Sequence, residues 1–332
     1  MKMKWTAALL LAVLLVVTGC GNQDQATNEE ASDKKENNTE ESVEHTESET
    51  NFAVDQSDYY KMVDEFQVDH IHGLGYAGSD NTVFIASHGG LVAVKDEQWY
   101  RPKDNQHDFM GFSATENGFY SSGHPGEGSD LPNPIGLVKS TNGGERLEKL
   151  GFTGQSDFHY MTVGYKSRAI YLFNEHPNDQ LDVGMYYSMN DGADWKKSEL
   201  KGLPQNVAFL FAHPSDKSMI GLTSNDGVYV STDNGDNFER FTKSAIVMAA
   251  HFSEKSLFYA TAQGKLYEQS LSDKSDLKEW KLPEIGKEET ISFLAQNPQK
   301  KDEITFITAK NNVFQTTDGG ETWTQLTKEG GV

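Results

Sequence analysis

The chain has 332 residues, with 50 Asp and Glu against 29 Lys and Arg, a net charge of −21 and a single cysteine. No basic stripe offsets that charge, which excludes nucleic acid as a partner, and one cysteine excludes an internal disulfide. The length exceeds that of a usual single core, yet all-β units reach it, so two domains are not required.

In chain order, Lys2 and Lys4 precede an apolar run from Ala7 to Val17 that ends in Val17-Thr18-Gly19-Cys20. A basic start, a short apolar run and small residues before a cut point are the marks of a signal peptide over residues 1–19. Val17-Thr18-Gly19-Cys20 resembles the bacterial lipobox, which implies that Cys20 becomes the first mature residue and carries lipid. The expected location is therefore extracytoplasmic, lipid-anchored to the cell membrane, with the membrane as a partner. Gly21 to Thr50 has no Phe, Trp or Tyr and carries ten Asp or Glu against two Lys. It cannot bury enough apolar area to offset chain entropy, so residues 20–56 read as the lipidated cysteine and a disordered acidic linker.

Residues 57–332 read as all-β. Short runs such as Val83-Phe84-Ile85-Ala86, Ala169-Ile170-Tyr171-Leu172-Phe173 and Ile304-Thr305-Phe306-Ile307 alternate with Gly, Asn and Asp turns, with little helical periodicity. Four turns share one pattern: Ser140-Thr141-Asn142-Gly143-Gly144, Ser188-Met189-Asn190-Asp191-Gly192, Ser231-Thr232-Asp233-Asn234-Gly235 and Thr316-Thr317-Asp318-Gly319-Gly320. Each is followed three residues later by Leu147, Trp195, Phe238 or Trp323. With Trp99 and Trp280 the series steps by 48, 48, 43, 42 and 43 residues, about the length of a four-stranded propeller blade. Six blades follow, with inner strands beginning near Ile71, Phe109, Phe158, Val207, Ile246 and Ile291. Seven blades are the alternative, but residues 52–67 are short for an extra one.

The four turns resemble the Asp-box, or BNR, repeat of sialidases, sortilin-type receptors and related β-propellers. Bacterial lipoproteins of this look are classed as glycosyl hydrolases by that similarity. At such a turn the side chain of Asn142, Asn190, Asp233 or Asp318 accepts backbone N–H bonds, Gly permits positive φ, and the following large side chain packs between sheets. These residues are scaffold. The resemblance implies glycoside hydrolysis, but a sialidase needs three arginines for the substrate carboxylate, a Tyr nucleophile with a Glu partner and an Asp acid. The mature chain has only Arg101, Arg146, Arg168 and Arg240, two of them beside Asp-boxes, and no Arg-Ile-Pro segment.

Within a blade the start of the inner strand A and the B-to-C turn share one face, and the Asp-box turn lies on the other. Seven of the ten histidines fall on the first face of blades 1–3: His70, His72, His88, His107, His124, His159 and His176. Strand alternation points His70 and His72 the same way, and Asp157 with His159. Imidazoles beside carboxylates suit a divalent transition metal, zinc or copper, for which His70, His72 and His159 are the candidate ligands. Three or four donors must then meet within about 2.0–2.2 Å of one ion. His88, His107, His124, Glu127, Glu175 and His176 are candidate ligand-binding residues, and the long loop from Ser122 to Pro134 would roof that face.

For hydrolysis, two carboxylates about 5–9.5 Å apart are needed. Asp108 and Asp157, opening adjacent inner strands, are the candidate acid and base or nucleophile, while Asp69, Glu127, Asp130 and Glu175 share their face. Phe109, Phe158, Tyr160 and Tyr120 are candidates to stack on a sugar. Three functions remain open: a surface protein binding a metal ion, glycan or peptide at the His/Asp face, a non-sialidase glycosyl hydrolase, and a docking or assembly factor.

Overall fold

The computed structural model describes residues 52–78, 80–286 and 289–332. The signal peptide, the Cys20 anchor and the acidic linker up to residue 51 lie outside the described residues. Six sheets follow one another along the chain. Blade 1 holds β1 (Tyr60–Val63), β2 (Ile71–Tyr76), β3 (Val83–Ser87), β4 (Gly90–Lys95) and β5 (Gln98–Pro102). Blade 2 holds β6 (Asp108–Thr115), β7 (Gly118–His124), β8 (Leu137–Ser140) and β9 (Glu148–Gly151). Blade 3 holds β10 (Met161–Val163), β11 (Ile170–Asn174), β12 (Gly184–Ser188) and β13 (Lys196–Lys197). Blade 4 holds β14 (Val207–Ala212), β15 (Ile220–Ser224), β16 (Gly227–Ser231) and β17 (Glu239–Arg240). Blade 5 holds β18 (Val247–Phe252), β19 (Ser256–Thr261), β20 (Leu266–Ser270) and β21 (Leu277–Trp280). Blade 6 holds β22 (Ile291–Gln296), β23 (Ile304–Thr308), β24 (Val313–Thr316) and β25 (Thr324–Gln325).

Strands β2, β6, β10, β14, β18 and β22 each lie against the next, and β22 returns to β2, so the protein is a six-bladed β-propeller. There is no seventh sheet among the described residues. Residues 60–63 instead add a fifth, outer strand to blade 1, pairing Tyr60 with Pro102 and Val63 with Trp99. Residues 52–56 pack against blade 1: Val54 is buried, Phe52 lies 5.8 Å from the Tyr60 ring, and Asp55 pairs with Lys95 at 2.6 Å.

Why these strands read as continuous apolar runs is visible in the packing. Strands such as β3 and β23 are buried along their whole length because both sheet faces meet a neighbouring blade. Six apolar clusters result, one at each blade interface. Phe84 and Leu91 meet Phe109 and Phe119 between blades 1 and 2, and Phe258 and Leu266 meet Ile304 and Phe306 between blades 5 and 6. Truncating a fully buried ring such as Phe258 to Ala would cost about 3–5 kcal/mol. The ring closes without sharing a strand between chain ends. Val68 N–H donates to Gly330 O at 2.8 Å and Val332 N–H to Phe66 O at 3.2 Å, while Tyr76 and Thr305 hydroxyls bond at 2.7 Å across blades 1 and 6.

The four Asp-box-like turns carry the same bonds. The hydroxyls of Ser140, Ser188, Ser231 and Thr316 accept the N–H of Gly144, Gly192, Gly235 and Gly320 at 2.9, 2.9, 2.9 and 3.1 Å. Asn142, Asn190, Asp233 and Asp318 accept the N–H four residues on at 3.0, 3.0, 2.9 and 2.9 Å. The Asn237 amide holds the Asp233 carboxyl down at about 2, and the Thr322 hydroxyl and N–H do the same for Asp318. Trp195 packs 5.7 Å from Phe152 and Trp323 4.9 Å from Phe306. Blade 1 lacks the motif because its β4–β5 connection is a two-residue turn, with Asp96 and Glu97 both at positive φ.

Candidate functional site

The inner-strand starts and the B-to-C connections of blades 1–3 build one rim of the central channel. His88 directly follows β3, and its N–H donates to His70 O at 3.1 Å. His124 ends β7 as the cross-strand partner of Asp108. Each of these two imidazoles reaches the carboxylate that opens the next blade. His88 Nδ1 lies 2.7 Å from Asp108 Oδ2, and His124 Nε2 lies 3.0 Å from Asp157 Oδ2. A second imidazole flanks each carboxylate: His72 Nε2 is 3.4 Å from Asp108 Oδ1, and His159 Nδ1 is 3.4 Å from Asp157 Oδ2. The rim therefore carries an arc of four imidazoles and two carboxylates.

Strand alternation does not account for this arc. Ile71 pairs with Ser87 and Gly73 with Ala86, which leaves His72 as the extra residue of a β-bulge. His70 takes a left-handed φ of 43° and is exposed, its ring 6.2 Å from that of His88. The expectation that His70 and His72 point together is thus overturned, since a bulge re-aims the side chain at that position. His70, His72 and His159 do not form one ligand set: His72 serves Asp108, His159 serves Asp157, and His70 stands outside both. The donor atoms that come together are His72, His88 and Asp108, all within 4.8 Å of one another.

Both carboxylates are largely withdrawn from water, with side chains 11% and 12% exposed. Neither caps a strand end through backbone N–H bonds. Asp108 Oδ1 and both oxygens of Asp157 are shielded and lack a hydrogen-bond partner, as does His72 Nε2. The imidazoles 3.0–3.4 Å away are the charge partners that offset the cost of burying these carboxylates. Burial raises the Asp157 carboxyl above its usual range, against the pull of His159 and His124 and with the Asp108 charge adding to the rise. Burial likewise pushes His72 down, although Asp108 opposes it.

The long loop after β7 is fastened rather than free. Gly126 N–H donates to His107 Nδ1 at 2.9 Å, Ile135 N–H to Gly123 O at 2.9 Å, and His124 Nδ1 lies 2.7 Å from Asn133 Oδ1. Gly123, at φ 123°, passes so close to β6 that a Cβ there would sit 2.0 Å from Asp108 O. His88, Asp108, His124 and Glu127 thereby line a recess of about 270 Å³ beside the rim. His107 is buried and serves this anchoring, its imidazole pushed down by burial, so it is structural and not a ligand group.

Other expected site residues lie apart. Glu175 and His176 are exposed on the β11–β12 connection and are joined to neither carboxylate, and Asp69 and Asp130 are exposed. Phe109, Phe158 and Tyr120 are buried in blade interfaces, which removes them as sugar platforms; Tyr160 alone of the four faces the channel. The channel has a volume of about 780 Å³ and is walled by His72, Met110, His159, Tyr160, Phe209 and Phe293 among others. His251 also lines it, pushed down to about 4 by burial. Its place in blade 5, away from the face of blades 1–3, sets His251 apart from the rim histidines in the sequence, and only the structure puts it in the channel. Asn133 was missed as well: only the long, Pro-rich loop hinted at it.

No protein-family model matches the chain, and no curated protein matches it. Among solved structures, the propeller resembles YCF48 from Cyanidioschyzon merolae at 13% identity, over 80% of this chain and 88% of that one, with a TM-score of 0.47. It also resembles a GH74 enzyme of Niastella koreensis, at 17% identity and a TM-score of 0.48, and the GH74 xyloglucanase of Xanthomonas campestris, at 16% and 0.48. The overlays cover 79% and 80% of this chain but 46% of each GH74 chain. Such distant overlays transfer no residue role or activity, and the strand order alone establishes this chain as a six-bladed propeller.

Proposed function

We propose that this chain is a membrane-tethered, extracytoplasmic metal-binding propeller. It takes one divalent transition ion, zinc or copper, through His72, His88 and Asp108, while lipid on Cys20 holds it at the cell surface. The observation that carries this reading is the donor geometry. Two donors bound to one tetrahedral ion at about 2.0–2.1 Å lie roughly 3.3 Å apart, and His72 Nε2 stands 3.4 Å from Asp108 Oδ1 with no hydrogen bond between them. His88 Nδ1, at 2.7 Å from the other oxygen, needs to open by about half an ångström. Three protein donors leave a fourth position facing the recess under Glu127, where water or a ligand group binds.

Equilibrium dialysis of chelator-stripped protein against zinc or copper, with metal counted by mass spectrometry, tests the reading. Bound metal that falls by one equivalent in His72→Ala is the expected result. Unchanged metal in that variant refutes it.

A second reading, glycoside hydrolysis, is favoured by one observation: burial raises Asp157 in the direction a general acid requires, beside the ionisable Asp108. Turnover of fluorogenic glycosides that disappears in both Asp108→Asn and Asp157→Asn supports hydrolysis; no turnover across a panel of such substrates removes it.

A further inference from the structure

The central channel carries aromatic side chains that the packing of the blades does not use. Tyr160 and Phe209 line it, are 39% and 46% exposed, and belong to none of the six apolar clusters. Phe293 lines it too. Its ring lies 6.4 Å from that of Phe209, although the two come from blades 6 and 4 with blade 5 between them. The exposure of Phe209 is built into the backbone. Val207 pairs with Ser224 and Leu210 with Leu222, so Ala208 and Phe209 together oppose Thr223, whose hydroxyl accepts the Phe209 N–H at 3.1 Å. Such a bulge re-aims a side chain, here out of the blade interfaces and into the lumen.

The lumen has the size and character of a small-molecule site. At about 780 Å³ it falls within the range of about 300–1,000 Å³ usual for ligand pockets and is too small for a folded partner. The chain's own residues 21–50 have no Phe, Trp or Tyr and ten Asp or Glu against two Lys, so they do not complement apolar walls. Several polar groups of the wall are already bonded: the Ser113 hydroxyl to Val163, the Thr162 hydroxyl to the Ala212 N–H, and Glu254 to Ser215 and Lys166. His251 differs, since its imidazole makes no hydrogen bond among the described residues. Burial holds it at about 4, so near neutral pH it is uncharged and presents one N–H and one lone pair. An uncharged imidazole between apolar walls does not attract an anion. Lys255 and Lys301, in the turns after β18 and β22, are exposed and keep their charge in water.

We propose that the channel binds an uncharged, planar aromatic molecule with one N–H or O–H donor, packed against Phe209, Phe293 and Tyr160 and donating to His251. Phe293 is the third residue of its inner strand and His251 the fifth of its own, an offset of two residues or about 7 Å along the channel. A two-ring aromatic spans that offset, so one ligand reaches both the rings and the imidazole. The site goes beyond the metal-binding reading and does not rest on it, since of the three proposed metal donors only His72 lines the channel.

Fluorescence titration of the full-length protein with N-phenyl-1-naphthylamine, an uncharged aromatic amine with one N–H, tests this. Chelator in the buffer separates the outcome from that of the metal reading. Wild type should bind one equivalent saturably, and Phe209→Ala and Phe293→Ala should each weaken binding by about 2–10-fold. The double variant measures the background from uptake by the apolar N-terminal segment. His251→Leu should weaken the amine by about 2–10-fold and leave its N-methyl analogue, which has no donor, unchanged. Loss of packing alone would weaken both. The anionic relative 8-anilinonaphthalene-1-sulfonate should bind about tenfold more weakly or less. A wild-type titration no greater than that of the double variant overturns the site, and equal affinity for the sulfonate overturns the uncharged ligand class. Equal weakening of both amines in His251→Leu overturns the role of the imidazole. Circular dichroism verifies folding, and Phe209→Leu replaces Phe209→Ala if the latter does not fold.

Discussion

Replacing Asp108 by Asn should change stability with opposite signs in the presence and absence of metal. An ion supplied at one hundred times its Kd adds about 2.7 kcal/mol to the unfolding free energy. For a domain of this size, 1 kcal/mol moves Tm by roughly 2 °C, so an occupied Asp108 seat should raise Tm by about 5 °C. Asp108→Asn removes a charged ligand and should lower the zinc-induced shift by that amount. Without metal, the same substitution removes a carboxylate whose side chain is only 11% exposed and whose Oδ1 has no hydrogen-bond partner. The isosteric amide relieves the burial of the charge, worth about 1–3 kcal/mol, against a modest loss of the contacts with His72 and with His88, whose side chain is 69% exposed. The metal-free variant should therefore melt at or above the wild-type temperature. Differential scanning calorimetry with chelator and then with excess zinc reads both numbers. An Asp108→Asn protein with the full wild-type zinc shift, or one that melts well below wild type in chelator, refutes the reasoning.

Two further outcomes follow from the scaffold. Gly123→Ala places a Cβ 2.0 Å from Asp108 O at a φ of 123°, so it should cost about 2–4 kcal/mol in urea unfolding and weaken zinc binding by moving the strand that carries Asp108. The carboxylates of the Asp-box-like turns set an acid limit. Asp233 and Asp318 titrate at about 2 in the folded chain against an ordinary 3.8, so their contribution is complete above about pH 4 and is lost as pH falls toward 2. An Asp233→Asn, Asp318→Asn double variant should show a flatter loss of Tm over that interval, and an unchanged acid profile would contradict the hydrogen-bond assignment.

The local code was legible where one short segment makes its own bonds. Each of the four Asp-box-like turns closes on itself through bonds spanning five residues, so Ser188, Asn190 and Gly192 carry their geometry locally, and their spacing with the large residue behind them counted the blades. The rim residues were legible as types and by face, because the order of strands in a blade fixes which turn lies on which side. Their pairing was not. His72 meets Asp108 through a bulge in β2, a one-residue slip against β3 that alternation within the strand does not encode. His124 is the cross-strand neighbour of Asp108, yet its ring engages Asp157 on the next blade, and Asn133 meets its other ring nitrogen from a loop whose path depends on His107 and Gly123.

Composition and period alone therefore determined that this is a propeller of about six blades with histidines gathered on one face. Which imidazole reaches which carboxylate was decided between blades, by side-chain contacts from one sheet to the next. The physical reason is one of range: turn chemistry is saturated by neighbours in the chain, whereas two buried carboxylates can be matched only by groups that the closed ring brings together.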